Sequence, residues 1–535
     1  MYSDKENIAI LTSLLPEYGI SYAIVCPGSR NAPIVNNLEE CPGIECITIV
    51  DERTAGFYAI GIAQKTGTPV AVCVTSGTAL LNLAPAVAEA YYQHVPLLVI
   101  SADRPVEWID QGDGQTLHQD IAFCEYFRKS VSLPEPFNYN QRWHCNRLVN
   151  EALLELNHRN PAPVHINVPI SDPLFNFTRE KLPNERVIRR VVLSEEVGLE
   201  KYNSCIDEFT TYKKPMIVLG HCGNDITIRD YLNEIGQYIP VLTNPISPGN
   251  PFGDLSGAIQ KIENKLSDYA PDILLFYGGD VICKPLKSFL RSCQSTQWLI
   301  DEEGKIQDTY MNLSCVIEAS PKRVFRDISK RLRSKADTSF NIKWQNLRKE
   351  IELSDNHDDN EFSPDAVVRY FEKRVSSINE KYEIHYANSS SVRYACKYAA
   401  HYVWSNRGVN GIEGSLSTAA GMSMASTENV FCIIGDLSFF YDENALWNEK
   451  LRGNFRIILL NDGGGSIFKN LKGLSESVAA SSIMGKHSCN AYGICLQNNV
   501  LYKKAKNREE MVLGIDWLID CDSDRPMLLE INFDK

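Results

Sequence analysis

The chain alternates short apolar runs with longer segments of helical periodicity, and this alternation constrains the fold more than any other feature. Residues 22–26 (YAIVC), 46–50 (CITIV), 70–74 (VAVCV) and 97–101 (LLVIS) read as strands without a polar face. Helical patterns over Thr54–Lys65 and Ala79–Tyr92 lie between them. A strand apolar on both faces must be covered on both, which predicts right-handed βαβ units and parallel sheets wrapped by helices. A second set of runs follows at Met216–Leu219, Val241–Thr243, Ile273–Tyr277 and Gln297–Ile300. A third comprises Glu383–Ala387, Val430–Ile434, Arg456–Leu460 and Met527–Ile531. Proline-bearing, charged sequence at 169–190 separates the first two sets, and the charge-dense stretch 321–361 is predicted as a helix followed by an exposed linker. At ~150 residues per domain, the 535 residues divide into three α/β domains, 1–180, 181–360 and 361–535.

Charge and composition narrow the function. The formal net charge of −13 repels phosphate backbones, so no nucleic-acid partner is expected. No apolar run approaches the ~20 residues of a membrane span. The start, MYSDKENIAILTSLL, lacks the basic region and cleavage site of a signal peptide, which predicts a cytoplasmic protein. The 16 cysteines form no Cys-x-x-Cys pair and lie scattered in segments such as Ala71-Val72-Cys73-Val74, so they read as reduced core residues. The 10 histidines include no His-Glu-x-x-His, which argues against a zinc site.

Doubly wound sheets bind ligands beyond the carboxyl ends of their strands. Val430–Ile434 is followed by Gly435-Asp436-Leu437-Ser438, and Arg456–Leu460 by Asn461-Asp462-Gly463-Gly464-Gly465-Ser466-Ile467-Phe468. A Mg²⁺ ion takes about six oxygens, some from water and substrate phosphate. Two carboxylates and a backbone carbonyl in a glycine-rich turn supply a protein share of that number. Backbone N–H groups after Gly435 offer a phosphate site. Taken alone, the same residues are also what two ordinary β–α turns look like. Asp51-Glu52-Arg53 follows the run 46–50, where carboxylates suit a helix N-terminus.

The pairing of Gly435-Asp436 with Asn461-Asp462 resembles the thiamine-diphosphate-binding motif, with Asp462 in place of that motif's second asparagine. Six further segments occur in order: CPGSRNAP (26–33), TSGTA (75–79), SADRP (101–105), IDQGDGQ (109–115), NSSSVR (388–393) and SNRGVNGIEG (405–414). Together with NDGGGSIF (461–468) they resemble the MenD family of thiamine-diphosphate-dependent synthases of menaquinone biosynthesis. The resemblance covers nearly the whole chain and is weakest between about 175 and 380.

The resemblance implies three doubly wound parallel-sheet domains of the thiamine-diphosphate-dependent decarboxylase type. They would be an N-terminal pyrimidine-binding domain, a middle domain and a C-terminal diphosphate- and metal-binding domain. It implies decarboxylation of 2-oxoglutarate and 1,4-addition of the resulting succinyl unit to isochorismate. Glu52 would be the proton-relay carboxyl group. Mg²⁺ or Mn²⁺ would lie on Asp436, Asp462 and the Gly464 carbonyl. Thiamine diphosphate would meet Gly435, Asp436, Leu437, Ser438, Ser389, Ser390, Ile467 and Phe468, with Ile412 wedged beneath it. Substrates would meet Ser29, Arg30, Arg104, Gln115, Asn388, Arg393, Arg407, Leu471 and Lys284. Ile467, Phe468 and Leu471 would form an apolar wall, although residues of this kind are also ordinary core. The expected assembly is a homodimer or homotetramer whose active site is shared between subunits.

The residue chemistry suits such substrates. Both are dicarboxylates, so a chain of charge −13 must build a local positive site. Arginine, with its planar fork, binds carboxylates bidentately, which singles out Arg30, Arg104, Arg393 and Arg407. Lys284 reads in isolation as an exposed lysine. Two alternatives remain. One is another thiamine-diphosphate 2-oxo acid decarboxylase or carboligase, and the other is a non-catalytic binding protein of the same fold. Leu219-Gly220-His221-Cys222-Gly223 is only a loose relative of Gly-x-Gly-x-x-Gly, so neither flavin nor NAD is expected.

Overall fold

The computed structural model describes residues 1–191, 199–333, 337–354, 360–468, 474 and 477–533. Their strands form three sheets, and every pairing within them is parallel. The first sheet runs in the order Glu45–Thr48, Tyr22–Val25, Val70–Val74, Leu97–Asp103, Val164–Pro169, Lys129–Ser132. The second runs Leu313–Ile317, Thr296–Ile300, Ile273–Tyr277, Pro215–Leu219, Val241–Leu242. The third runs Tyr382–Tyr386, Asn429–Gly435, Phe455–Asn461, Met527–Asn532, Leu501–Ala505. The fold is therefore α/β with three doubly wound parallel sheets, as the alternation of the sequence predicts.

Each sheet is covered on both faces. The middle sheet has a separate apolar cluster on each side. The first and third sheets share one, which joins Ile24, Val72 and Val99 to Cys432, Ile457 and Leu459. That shared core is built on two crossed helices, Glu52–Thr66 and Ser415–Met424. Asp51 caps the first, accepting the N–H groups of Arg53 at 2.9 Å and Thr54 at 3.4 Å, and Gly67 ends it at φ +67°. Small residues bring the helices close. A Cβ on Gly61 would lie 1.9 Å from the Thr418 carbonyl oxygen, and one on Gly421 would lie 2.2 Å from that of Tyr58.

Two local expectations are corrected. The pattern 79–92 forms two helices, Thr78–Asn82 and Ala84–Gln93, because Pro85 starts a new helix and cannot sit inside the old one. Residues 321–354 hold two helices rather than one, and 355–359 of the expected linker lie outside the described residues. Pro321–Leu332 is followed by a second helix, Ser339–Ser354, which buries Phe340, Trp344 and Leu347 in the middle-domain core. Its charged residues Lys349, Glu350 and Glu352 are exposed. All 16 cysteines are free thiols, and eight of them are buried. No helix among the described residues is long and apolar enough to cross a membrane.

Candidate active site

The residues singled out in the sequence gather in three places, each at the carboxyl end of a sheet. The first is the switch point of the first sheet, between Tyr22–Val25 and Val70–Val74. The turn after one strand carries Ser29 and Arg30, and the turn after the other carries Thr75-Ser76-Gly77. Ser29 is exposed. Arg30 is buried, and its Nη1 donates to the Ile170 carbonyl at 2.9 Å and to Asp172 at 3.4 Å. Arg104 donates through Nε to the Gly114 carbonyl at 3.1 Å and pairs with Asp113 at 3.2 Å, which pins the loop that carries Gln115. Gln115 is exposed at φ +57° and lies over Gly77, where a Cβ would come within 3.1 Å of its Cα. A non-glycine residue held at positive φ is strained, and such strain collects at functional loops.

Glu52 starts its helix beside this group, with Asn82 Nδ2 donating to its Oε2 at 3.2 Å. Its neighbours tie that end to the third domain. Asp51 accepts from Asn444 Nδ2 at 2.8 Å, Arg53 donates to the Tyr441 carbonyl at 2.8 Å, and Tyr58 donates to the Ala445 carbonyl at 2.6 Å.

The second place lies beyond the paired strands Asn429–Gly435 and Phe455–Asn461. Asp436 is buried. Its Oδ1 accepts the Leu437 N–H at 2.6 Å, and its Oδ2 accepts those of Gly464 at 2.9 Å and Asp462 at 3.2 Å. One carboxylate thereby fixes both turns. Gly464 is at φ +143°, and a Cβ there would lie 2.9 Å from the Met484 carbonyl oxygen, so only glycine fits. The space beside Gly435 is open. Leu437 is half-buried and Ser438 buried, while Ile467 and Phe468 are half-buried in a short 3₁₀ turn. Among the described residues, no group of three His, Cys, Asp or Glu side chains is placed to hold a metal. The donors here are two carboxylates and a carbonyl, an all-oxygen set that suits Mg²⁺ or Mn²⁺. His487, which the sequence did not single out, brings Nε2 within 3.2 Å of Asp436 Oδ2.

The third place is the junction of the middle and C-terminal domains. Ser389 is at φ +75°, and its carbonyl accepts from Arg393 Nη1 at 2.8 Å; Ser390 opens the helix Ser390–Tyr398. Asn388 is buried and hydrogen-bonded at both ends of its amide. It donates to the Asn406 and Gly411 carbonyls at 2.6 and 2.7 Å and accepts from Arg407 Nη1 at 3.1 Å. Arg407 is only 8 % exposed and pairs through Nη2 with Asp280 of the middle domain. Its Nε–H is buried and without a partner among the described residues. Lys287 holds the other oxygen of Asp280 at 2.8 Å. Burial pushes the Asp280 carboxyl up, but Lys287 and Arg407 outweigh it and hold the group below its usual range. Burial and the neighbouring charge of Arg407 lower the pKa of Arg393. Lys284 is exposed at the first position of the helix Lys284–Ser292. Ile412 is 42 % exposed, so packing in a core is not its role in this chain. Leu471 lies outside the described residues.

The sequence also gave no notice of Glu89 or Asp280. Glu89 sits inside an apolar helix pattern. Asp280 follows the strand Ile273–Tyr277, and a carboxylate just beyond a strand's carboxyl end is the signal that would have found it.

Residues 8–123 match the family described as "Thiamine pyrophosphate enzyme, N-terminal TPP binding domain". Over its whole length the chain is 42 % identical to the 2-succinyl-5-enolpyruvyl-6-hydroxy-3-cyclohexene-1-carboxylate synthase of Bacteroides thetaiotaomicron, covering 97 % of that protein. It is equally similar, at 42 % with the same coverage, to the synthase of Phocaeicola vulgatus. The synthase of Porphyromonas gingivalis is 35 % identical, over 99 % of this chain and 95 % of that protein. The chain belongs to the 2-succinyl-5-enolpyruvyl-6-hydroxy-3-cyclohexene-1-carboxylate synthase family. It is an enzyme of that synthase family, and its first sheet lies within the domain that binds the thiamine cofactor up to Asp103.

Proposed function

We propose that this enzyme decarboxylates 2-oxoglutarate and adds the succinyl unit in 1,4 fashion to isochorismate. The product is 2-succinyl-5-enolpyruvyl-6-hydroxy-3-cyclohexene-1-carboxylate, in menaquinone biosynthesis. When bound, thiamine diphosphate supplies a nucleophilic carbon and an electron sink. The chain supplies binding, orientation and charge. Asp436, Asp462 and the Gly464 carbonyl offer oxygens to a divalent cation, Mg²⁺ or Mn²⁺, and the open space at Gly435 leaves room for a diphosphate. Glu52 holds a proton against the pyrimidine ring nitrogen of the cofactor, a form of assistance worth roughly 10²–10⁴-fold. Arg30, Arg104, Arg393 and Arg407 receive substrate carboxylates, with Ser29, Gln115, Asn388 and Lys284 around them. Ile412, Ile467 and Phe468 keep the reacting carbon in apolar surroundings. The enzyme works in the cytoplasm as a homodimer or homotetramer with active sites shared between subunits.

The observation that carries this reading is the positive cluster at the domain junction. Lys287 and Arg407 share the one carboxylate of Asp280, and Arg393, whose pKa the charge of Arg407 lowers, has no ion pair among the described residues, so this junction is locally positive in a chain of charge −13. Carboxylate substrates suit such a site.

The test follows isochorismate by its ultraviolet absorbance, with thiamine diphosphate, Mg²⁺ and 2-oxoglutarate each omitted in turn. Consumption only in the complete mixture is the expected result. Release of CO₂ from 2-oxoglutarate without isochorismate consumption would replace this reading with a decarboxylase using another acceptor. Absence of both reactions, with Mn²⁺ also tried, would overturn it.

A further inference from the structure

The middle sheet reverses its winding between Pro215–Leu219 and Ile273–Tyr277. Such a switch point is where a doubly wound sheet opens a crevice for ligand. Here the crevice is shut. Gly220 donates to the Tyr277 carbonyl at 2.9 Å, and a Cβ on Gly220 would lie 2.0 Å from the Gly279 carbonyl oxygen. The C-terminal domain covers the closed seam, with the Tyr402 hydroxyl donating to the Cys222 carbonyl at 3.2 Å and the Val403 N–H to that of Pro245 at 2.8 Å. A charged side chain from this switch point, the carboxylate of Asp280, also reaches the neighbouring domain. Its Oδ1 is held by Lys287 at 2.8 Å and its Oδ2 meets Arg407.

Arg407 is thereby gripped at both terminal nitrogens, by Asn388 at Nη1 and by Asp280 at Nη2. Its Nε is buried and has no partner among the described residues. A guanidinium fixed at two corners keeps one orientation of its plane. A guanidinium held at Nη1 alone can swing about that bond.

We infer that Asp280 is a positioning residue for the substrate-facing edge of Arg407, and that the middle domain acts on the reaction through it. The inference rests on the reading of Arg407 as a substrate contact. Lys287 has the complementary task of holding the Asp280 carboxylate in orientation.

The test measures kcat and KM for 2-oxoglutarate and isochorismate in Asp280→Asn, Arg407→Lys and the double variant, with thiamine diphosphate affinity and Tm alongside. Misplacing a substrate-orienting group by about an ångström costs on the order of 10²-fold. Asp280→Asn is therefore expected to lose about that factor in kcat/KM for a carboxylate substrate, with cofactor affinity unchanged. Because Asp280 acts through Arg407, the double variant is expected to be no worse than Arg407→Lys alone. Wild-type kinetics with a lowered Tm would show that Asp280 merely joins two domains, and would overturn the inference. So would losses that multiply in the double variant. An Arg407→Lys enzyme as active as wild type would instead overturn the reading of Arg407 itself. If Asp280→Asn does not fold, Lys287→Met decides. A several-fold loss of kcat/KM at unchanged cofactor affinity is expected, and unchanged kinetics would refute the inference.

Discussion

Glu89, in the first-sheet domain, accepts the N–H of Gly408 at 2.7 Å through Oε1, and its Oε2 accepts that of Val409 at 2.7 Å. The carboxylate is 3 % exposed. Burial raises its pKa, while the amides of Val409 and Gly408 and the side chain of Gln93 oppose the rise. The loop it holds carries Arg407 on one side and Ile412 on the other. Glu89→Gln leaves one buried amide without an acceptor, which costs about 1–3 kcal/mol. The variant is expected to unfold at lower temperature and to show a raised KM for its carboxylate substrates. Thermal unfolding and steady-state kinetics check this, and an unchanged KM would detach Glu89 from the loop's function.

The crossing of Glu52–Thr66 with Ser415–Met424 has no room for a side chain at Gly61. Gly61→Ala places a methyl group 1.9 Å from a backbone oxygen, so the helices must separate. Overpacking of this kind costs typically about 1–3 kcal/mol, and here backbone rather than a flexible side chain must move. Gly223→Ala, where a Cβ meets nothing within 4 Å, is the matched control. Urea unfolding of both should show a lowered midpoint only for Gly61→Ala.

How far the fold was legible depended on where each strand lies. Tyr22–Val25, Val70–Val74, Ile273–Tyr277 and Phe455–Asn461 sit inside their sheets, and burial on both faces gave them unbroken apolar runs. Lys129–Ser132, Leu313–Ile317 and Leu501–Ala505 escaped notice because all three are edge strands, half exposed and correspondingly polar. Val164–Pro169 lies inside the first sheet, yet it contains His165 and Asn167. Their partners Ser101, Ser130 and Asp103 are distant in the chain, and the run is not uniformly apolar. The site divides in the same way. Turns just beyond strand ends announce themselves by composition. Asp280 lies 127 positions from Arg407 and Glu89 lies 319 positions from Gly408, and no local pattern encodes such pairings.

Glu52 separates chemistry from binding. Glutamine in its place keeps the shape and the contact with Asn82 but cannot hold or transfer a proton. Glu52→Gln is expected to bind thiamine diphosphate in the presence of Mg²⁺ nearly as the wild type does, with turnover lowered by at least ~10²-fold. Calorimetric titration of the cofactor and the isochorismate assay measure the two quantities separately. Turnover near the wild-type rate would remove Glu52 from the proton relay.

Asp462 stands where the resembled motif has asparagine, and its N–H is held by Asp436 Oδ2 at 3.2 Å. That backbone contact survives a change of side chain. Asp462→Asn removes one negative charge beside the proposed diphosphate site while keeping an oxygen donor for a hard cation. The variant is expected to remain active and to bind thiamine diphosphate more tightly at a fixed Mg²⁺ concentration, most clearly at low ionic strength, where charge repulsion is least screened. Loss of turnover on this substitution would mean that the second carboxylate is required for the metal.

Acid should destabilise the fold, through its buried histidines. Burial lowers His165 to about 3, and His221 and His385 to about 4, from an ordinary 6.5. His165 is neutral between the hydroxyls of Ser101 at 2.7 Å and Ser130 at 2.9 Å, stacked on Phe127. Between pH 6.5 and 4 the unfolded chain binds protons at these positions that the native chain refuses, so stability falls as pH falls. Asp442 works in the opposite sense. Burial raises it to about 6 from 3.8, against the hydrogen bonds of Ser417, so over that interval the native chain holds a proton that the unfolded chain has lost. Glu89 and Asp103, which burial also raises, act in the same sense as Asp442, and the three histidines outweigh these carboxyl groups. Urea midpoints taken at pH 7.5 and pH 5 should differ by the equivalent of a few kcal/mol. Asp442→Asn should steepen the decline and His165→Gln should flatten it. An unchanged midpoint between the two pH values would show that these histidines do not set the acid limit of the fold.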